Sequence, residues 1–72
     1  MNEEYHKLQS LLAGYLHYIA NQSEASCLQI MFILKTADQV FVMLDYLDKH
    51  KNEPFDEDHL LNVALAITRQ VK

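Results

Sequence analysis

The apolar positions of residues 26–50 recur at helical spacing and organise the chain around one central segment. Residues three and four apart share a helix face, so a stripe at this spacing predicts a long central helix. Leu34 and Phe41 widen the stripe to the arc that faces a protein core. The members of the stripe are Ile30, Ile33, Ala37, Val40, Leu44 and Leu47.

A second, less regular apolar stripe lies on the opposite side of the predicted central helix. Lys35, Asp38 and Gln39 interrupt it near its middle. A helix that is apolar on two faces is usually central to its fold or shared with a partner chain. We therefore predict that the second stripe forms an interface. Its members are Leu28, Met31, Phe32, Val42, Met43 and Tyr46.

Two other structures are compatible with the central segment. The apolar runs 30–34 and 40–44 could pair as a β-hairpin, which their β-branched residues favour. Against this, the connector has no Gly, Asn or Pro, and the helical stripe crosses it without losing phase. Alternatively, the segment breaks into two helices, with Thr36 as N-cap and Gln39 completing a capping box. One continuous helix agrees best with the pattern.

Amphipathic patterns on both sides of the central segment predict two more helices. In the first, the large apolar side chains fall in one half of a helical wheel. In the last, Asp56 can act as N-cap, and Phe55 and Leu60 stand at the positions of a hydrophobic staple. The expected helices span residues of about 2–21, 24–51 and 56–71.

The predicted connections are short, which makes consecutive helices antiparallel neighbours. Residues 21–24 have the form of a helix start with Asn21 as N-cap, or alternatively Ser23. Pro54 ends the central helix, because proline disfavours helical geometry in the residue before it. The expected fold is therefore one small all-α domain over residues 1–72, an antiparallel three-helix domain with a long central helix.

Length and composition favour self-association of this domain. The chain has 72 residues, of which 50% are hydrophobic. A chain this short buries only about 60% of the surface that its unfolded state exposes. Small domains therefore usually need disulfides, a metal or oligomerisation. The single Cys27 excludes an internal disulfide, so we expect a homodimer that pairs two central helices.

Charge and hydropathy argue against several partners. A net charge of -4 opposes broad binding to nucleic acid or to anionic membranes. No apolar run approaches the roughly 18 residues of a membrane span, and the first residues lack the features of a signal peptide. With one cysteine and no signal peptide, the expected location is the cytoplasm.

Candidate metal ligands occur near both ends of the chain. Glu3 and His6 have the Glu-x-x-His spacing of di-iron helical bundles, and Asp56 and His59 have a similar one. Ligands in such bundles project into the core, whereas Glu3 and His6 fall on the polar side of their helix. Asp56 is better used as an N-cap. We expect no metal and no other cofactor.

The sequence also offers no pattern typical of an enzyme. A single glycine, Gly14, cannot form a glycine-rich phosphate loop, and no Ser, His and acid are spaced as a local triad. Cys27 near a helix start could have a lowered pKa, but a small buried hydrophobic role fits its apolar context better. We expect no catalytic residues.

The function predicted from these observations is protein–protein interaction. The domain would act as a small regulator, an inhibitor or a chaperone that buries apolar helix faces, with acidic rims setting partner choice. A nucleic-acid-binding regulator is a second hypothesis. Against it, the last helix carries only Arg69 and Lys72 beside three acids at its start. A metal-binding helical bundle is the third.

The division into two faces makes a prediction about mutants. Aspartate at Phe32 or Met43, on the second stripe, should give a folded monomer. Aspartate at Leu12 or Leu44, on the core faces, should unfold the chain.

Overall fold

A computed structural model describes residues 2–21 and 24–70, and this part of the chain contains four helices and no strand. The all-α class is confirmed, whereas the prediction of three helices is wrong because the central segment is broken. The β-hairpin alternative is wrong as well. The helices are α1 (Asn2–Ala20), α2 (Glu24–Ile33), α3 (Ala37–Lys49) and α4 (Glu57–Gln70).

A capping box produces the break between α2 and α3. Thr36 is extended, with φ -128° and ψ 160°, and its hydroxyl accepts a hydrogen bond of 3.2 Å from the Gln39 backbone N–H. The Gln39 side-chain oxygen accepts in return from the backbone N–H groups of Thr36, at 3.1 Å, and Lys35, at 2.6 Å. These bonds satisfy N–H groups that a helix start leaves without partners.

Asn21 ends α1 rather than beginning α2. Its backbone is left-handed, with φ 51°, and its N–H donates to the His17 carbonyl at 2.8 Å. Asparagine tolerates this conformation better than most residues and is common after helix ends. The predicted N-cap role of Asn21 is therefore wrong. Ser23, the alternative N-cap, lies outside the described residues, as does the predicted helix end at residue 71.

The start of α4 agrees with the sequence pattern. The Asp56 carboxylate accepts a hydrogen bond from the His59 N–H at 3.2 Å, and the Asp56 carbonyl accepts from the Leu60 N–H at 3.0 Å. Asp56 is therefore the N-cap, as predicted. Phe55 packs against the core and Leu60 belongs to it, which places both staple positions on the buried side of the joint.

The four helices are arranged so that α1 and α4 each pack against both α2 and α3. α1 has 19 residues and is therefore about 28 Å long, close to the 32 Å length of the domain. Tyr5 near its start bonds to Leu34 after α2, and Tyr15 further along bonds to Leu47 near the end of α3, so α2 and α3 run in opposite directions along α1. α2 and α3 make little contact with each other. The buried core consists of Leu12, Leu16, Ala20, Cys27, Ile30, Leu34, Val40, Met43, Leu47, Leu60, Ala64 and Ile67.

Two tyrosines on α1 connect it to the ends of α2 and α3. The Tyr5 hydroxyl donates to the Leu34 carbonyl at 2.7 Å, and the Tyr15 hydroxyl donates to the Leu47 carbonyl at 3.3 Å. The last carbonyls of a helix lack partners within it. The Tyr5 hydroxyl therefore supplies a donor just after the end of α2, whereas the Tyr15 hydroxyl adds a second donor to a carbonyl that also accepts from the His50 N–H. The Gln9 amide donates to the Tyr5 oxygen at 2.8 Å and orients it.

Candidate interaction surface

The break between α2 and α3 divides the predicted interface residues into two groups of three. The α2 group lines one open groove on the surface of the domain. None of the α3 group lines that groove: one is buried in the core and two are half-buried. The groups are Leu28, Met31 and Phe32 on α2, and Val42, Met43 and Tyr46 on α3.

The expected surface position of Met43 is wrong. Its side chain is 0% exposed and belongs to the core, together with Val40 and Leu47. These three residues are spaced by three and four positions and form the buried face of α3. Leu44, which the sequence pattern placed in the core, is only half-buried. α3 is therefore rotated about its axis relative to the predicted continuous helix, so that Met43 faces the core in place of Leu44.

The outer face of α2 and parts of its two neighbours form an open groove of about 860 Å³. We call it the α2 groove. α1 borders it on one side and α4 on the other. Among the described residues that line it, none is charged. They are Gln9, Leu28, Gln29, Met31, Phe32, Ile33, Leu61 and Leu65.

The apolar side chains of the α2 groove are unusually accessible. Phe32 is 79% exposed, Leu28 56% and Leu65 42%. Contiguous apolar patches on a protein surface mark binding sites more often than chance would allow. Fully burying one large apolar side chain contributes about 1.5–3 kcal/mol. Covering the groove would therefore release a substantial free energy.

A shallower hollow extends the apolar surface beyond Phe32. It shares Phe32, Ile33 and Leu65 with the α2 groove and adds Lys35 and Thr68 at its edge. The Lys35 ammonium lies 5.3 Å from the centre of the Phe32 ring, within cation–π distance. Among the described residues lining the two hollows, Lys35 alone is charged. The patch therefore has an apolar centre and a polar border, which is the usual anatomy of an interface.

Tyr46 belongs to a polar cluster at the joint between α3 and α4. Its hydroxyl lies 2.7 Å from the His59 Nε2 atom, and its ring stacks on that of His50, with centroids 4.2 Å apart. The His50 Nδ1 atom lies 2.7 Å from a Glu53 carboxylate oxygen. These contacts connect the end of α3, the loop and the first turn of α4. The i, i+4 spacing of Tyr46 and His50 is the one feature of the sequence that could have indicated this cluster.

The candidate metal ligands take other roles or remain at the surface. Glu3 and His6 are exposed on α1, and the Asp56 carboxylate is used as the N-cap of α4. In the part of the chain that the structure describes, no three His, Cys, Asp or Glu side chains form a group that could hold a metal ion.

Cys27 lies in the core, as its apolar context predicts. It is 2% exposed and packs in the same cluster as Leu12 and Ile30. Burial raises the pKa of the Cys27 thiol, because the thiolate would lose its hydration. The negative charges of Glu24 and Glu57 act in the same direction. The thiol is therefore held in its protonated, unreactive form.

Comparison of the sequence and the structure with known proteins identifies no similar protein. No protein-family model matches the sequence, and neither the curated proteins nor the solved structures give a significant match. Across residues 2–21 and 24–70, no helix has both the length and the hydropathy needed to cross a membrane. The surface chemistry of the domain, with the α2 groove at its centre, is the basis for a functional proposal.

Proposed function

We propose that the protein is a small interaction module that forms a homodimer by pressing its α2 groove against the α2 groove of a second copy. The observation that carries this proposal is the position of Phe32. Its ring is 79% exposed and stands beside a hollow lined by apolar side chains. Aromatic residues at the centre of such patches are typical binding hot spots.

The shape of the patch suits pairing with a copy of itself. In a two-fold symmetric dimer the same surface meets itself, so it must provide both a projection and a recess. Phe32 provides the projection. The α2 groove, which Leu28 on α2 and Leu61 and Leu65 on α4 help to line, provides the recess. Each Phe32 ring can therefore enter the recess of the other copy.

The charge distribution also permits self-association. Each chain carries a net charge of -4, so two copies repel each other at long range. Beyond a Debye length of about 8 Å at physiological ionic strength, this repulsion is largely screened. The α2 groove brings no charged side chain of the described residues to the centre of the contact. Pairing therefore avoids the large cost of burying an unpaired charge.

The area needed for a stable dimer sets the extent of the interface. A standard interface buries about 800 Å² on each partner, which is about a sixth of the 5032 Å² surface of this domain. We therefore include the adjoining hollow in the contact as well as the groove, with the exposed Lys35 at the rim. Gln9 and Gln29 at the border of the groove can hydrogen-bond across it.

Two matched substitutions test the proposal. Phe32→Asp puts a charge into the α2 groove, whereas Phe41→Asp puts the same charge at a phenylalanine that is 61% exposed on α3 and does not line the groove. The molar mass of each variant is measured by light scattering after gel filtration. We expect dimers for the wild type and Phe41→Asp, and a monomer of unchanged helix content for Phe32→Asp. A Phe32→Asp variant that still dimerises as the wild type does would contradict the proposal.

A further inference from the structure

The joint between α2 and α3 can form two local structures. In the sequence, the apolar residues Ile30, Ile33, Ala37 and Val40 keep helical spacing across the break, although the buried faces of α2 and α3 in the folded monomer do not line up. The joint residues 34–36 are Leu, Lys and Thr. None of them is glycine or proline, the residues that most strongly oppose a helix. The same sequence can therefore form one continuous helix over residues 24–49.

The hydrogen bonds of the break have close substitutes in the continuous helix. In the break, the backbone N–H groups of Lys35 and Thr36 donate to the Gln39 side chain, and the Leu34 carbonyl accepts from Tyr5. In a continuous helix, each of these backbone groups would bond to a residue four positions away. The Val40 N–H already donates to the Thr36 carbonyl at 3.1 Å, as it would there. Straightening the joint therefore leaves few backbone groups without a partner.

The helix packing determines what straightening would do. α1 packs against α2, and α3 packs against α4, so each half of the chain has an interface of its own. The contacts that close the monomer are those of α1 with α3 and of α2 with α4. A straight joint would separate these pairs within one chain. A second copy that opens in the same way would restore both, since each interface would then form between chains.

We propose that residues 34–36 are a hinge through which two copies exchange halves, α1 and α2 of one chain packing on α3 and α4 of the other. This exchange goes beyond the proposed function, because it uses the core interfaces and does not require pairing of α2 grooves. In the exchanged dimer, each α2 groove takes Gln9 and α2 from one chain and Leu61 and Leu65 from its partner.

The two kinds of dimer differ in kinetics. Pairing of α2 grooves leaves each fold intact, so the fraction of dimer re-equilibrates rapidly when the concentration changes. Exchange requires both closing interfaces to open first, so it is slow, and an exchanged dimer persists after dilution. Persistence after dilution therefore distinguishes exchange from groove pairing.

Substitutions at the hinge should shift the equilibrium between the closed monomer and the exchanged dimer in opposite directions. Ala37 is the first residue of α3, a position where proline is favoured, and Thr36 already has the extended backbone that a residue before proline prefers. Ala37→Pro therefore fits the break but disrupts a continuous helix. Thr36→Ala removes the hydroxyl that caps α3 and leaves a good helix former in its place. Ser10→Ala, which removes an exposed hydroxyl on α1 outside the α2 groove, is the matched control.

The experiment is to refold each variant from denaturant at high concentration, dilute it, and measure the dimer fraction over hours by gel filtration with light scattering. We expect Thr36→Ala to raise the association constant of the persistent dimer roughly tenfold over the wild type. Each of the two copies loses the N-cap of α3 in its closed monomeric form, which favours the exchanged dimer. Ala37→Pro should give no persistent dimer, and Ser10→Ala should match the wild type. Combining Thr36→Ala with Phe32→Asp should remove only the rapidly formed dimer.

Persistent dimer in a folded Ala37→Pro variant would overturn the exchange mechanism. So would a folded Thr36→Ala variant with no more persistent dimer than Ser10→Ala, and this comparison decides the matter if Ala37→Pro does not fold. Neither result bears on the α2 groove, because groove pairing leaves the hinge unchanged and is tested separately by Phe32→Asp.

Discussion

The Tyr5 hydroxyl donates a hydrogen bond of 2.7 Å to the Leu34 carbonyl, 29 positions away. The bond connects the first turns of α1 to the residue that follows α2, where the helix can no longer supply a donor. The joint between α2 and α3 is thus stabilised from outside as well as by its own capping box. The stability of the break therefore depends on α1.

Removal of the Tyr5 hydroxyl should destabilise the fold. Tyr5→Phe keeps the ring but leaves the Leu34 carbonyl without this donor, at an expected cost of about 1 kcal/mol in the free energy of unfolding. Tyr15→Phe is the matched comparison and should cost less. Its hydroxyl is 3.3 Å from the Leu47 carbonyl, which already accepts from the His50 N–H at 3.2 Å. Urea unfolding measures both, and an equal or larger loss for Tyr15→Phe would contradict this account.

Gln39 should be the most sensitive polar residue of the joint. It is only 5% exposed, and its side-chain oxygen accepts two backbone N–H bonds. Gln39→Ala leaves those donors unsatisfied and should lower the free energy of unfolding by about 1–3 kcal/mol. Gln70→Ala changes an exposed glutamine at the end of α4 and should stay within about 0.5 kcal/mol of the wild type. The prediction fails if thermal or urea unfolding gives the two variants similar stability.

Met43→Asp should unfold the chain, which reverses the expectation from the sequence pattern. Met43 is 0% exposed in the core, so an aspartate there would be a buried charge without a partner. The resulting loss of several kcal/mol is comparable to the whole stability of a small domain. Leu12→Asp should behave in the same way, and circular dichroism would show lost helix for both. A helical, monomeric Met43→Asp variant would show that the core assignment is wrong.

Cys27 should make the stability of the protein sensitive to alkaline pH. Burial raises the thiol pKa above its usual 9.0, so the unfolded chain releases this proton at a lower pH than the folded one. The contribution of the thiol is therefore complete below about pH 9 and is lost as the pH rises further. Free energies of unfolding at pH 7, 9 and 10 should fall more steeply for the wild type than for Cys27→Ala. Parallel pH profiles for the two proteins would count against the raised pKa.

The outer helices could be predicted because their local signals agree. Asp56 supplies a cap, Phe55 and Leu60 supply apolar positions on either side of it, and the apolar face of α4 follows at once. The end of α1 was placed within one residue for a similar reason. Asn21 follows the last apolar turn, although it caps the end of α1 and not the start of α2.

The break in the central segment could not be chosen from the sequence, because the apolar stripe is in phase with or without it. Thr36 and Gln39 allow a capping box in the broken form, but Leu, Lys and Thr at positions 34–36 also allow a continuous helix. The additional stabilisation comes from Tyr5, which lies 29 positions from Leu34 in the chain. No local pattern contains that contact.

The α2 groove could be predicted only in part. Leu28, Met31 and Phe32 stood out because they lie off the core stripe of their helix. Leu61 and Leu65 were missed, because they extend the apolar face of α4 and resemble core positions. Their exposure depends on how α4 is rotated against α2, which is a property of the packed structure. The rotation of α3 that buries Met43 is of the same kind.

Sedimentation equilibrium of the wild-type protein over a wide range of concentrations is the decisive test of whether the α2 groove pairs with itself. If the α2 groove pairs with itself, the apparent mass should rise from one chain of 8.4 kDa to twice that value and fit a single monomer–dimer equilibrium. Phe32→Asp should remove that rise. A folded wild-type protein that stays at the mass of one chain throughout would contradict self-pairing of the α2 groove.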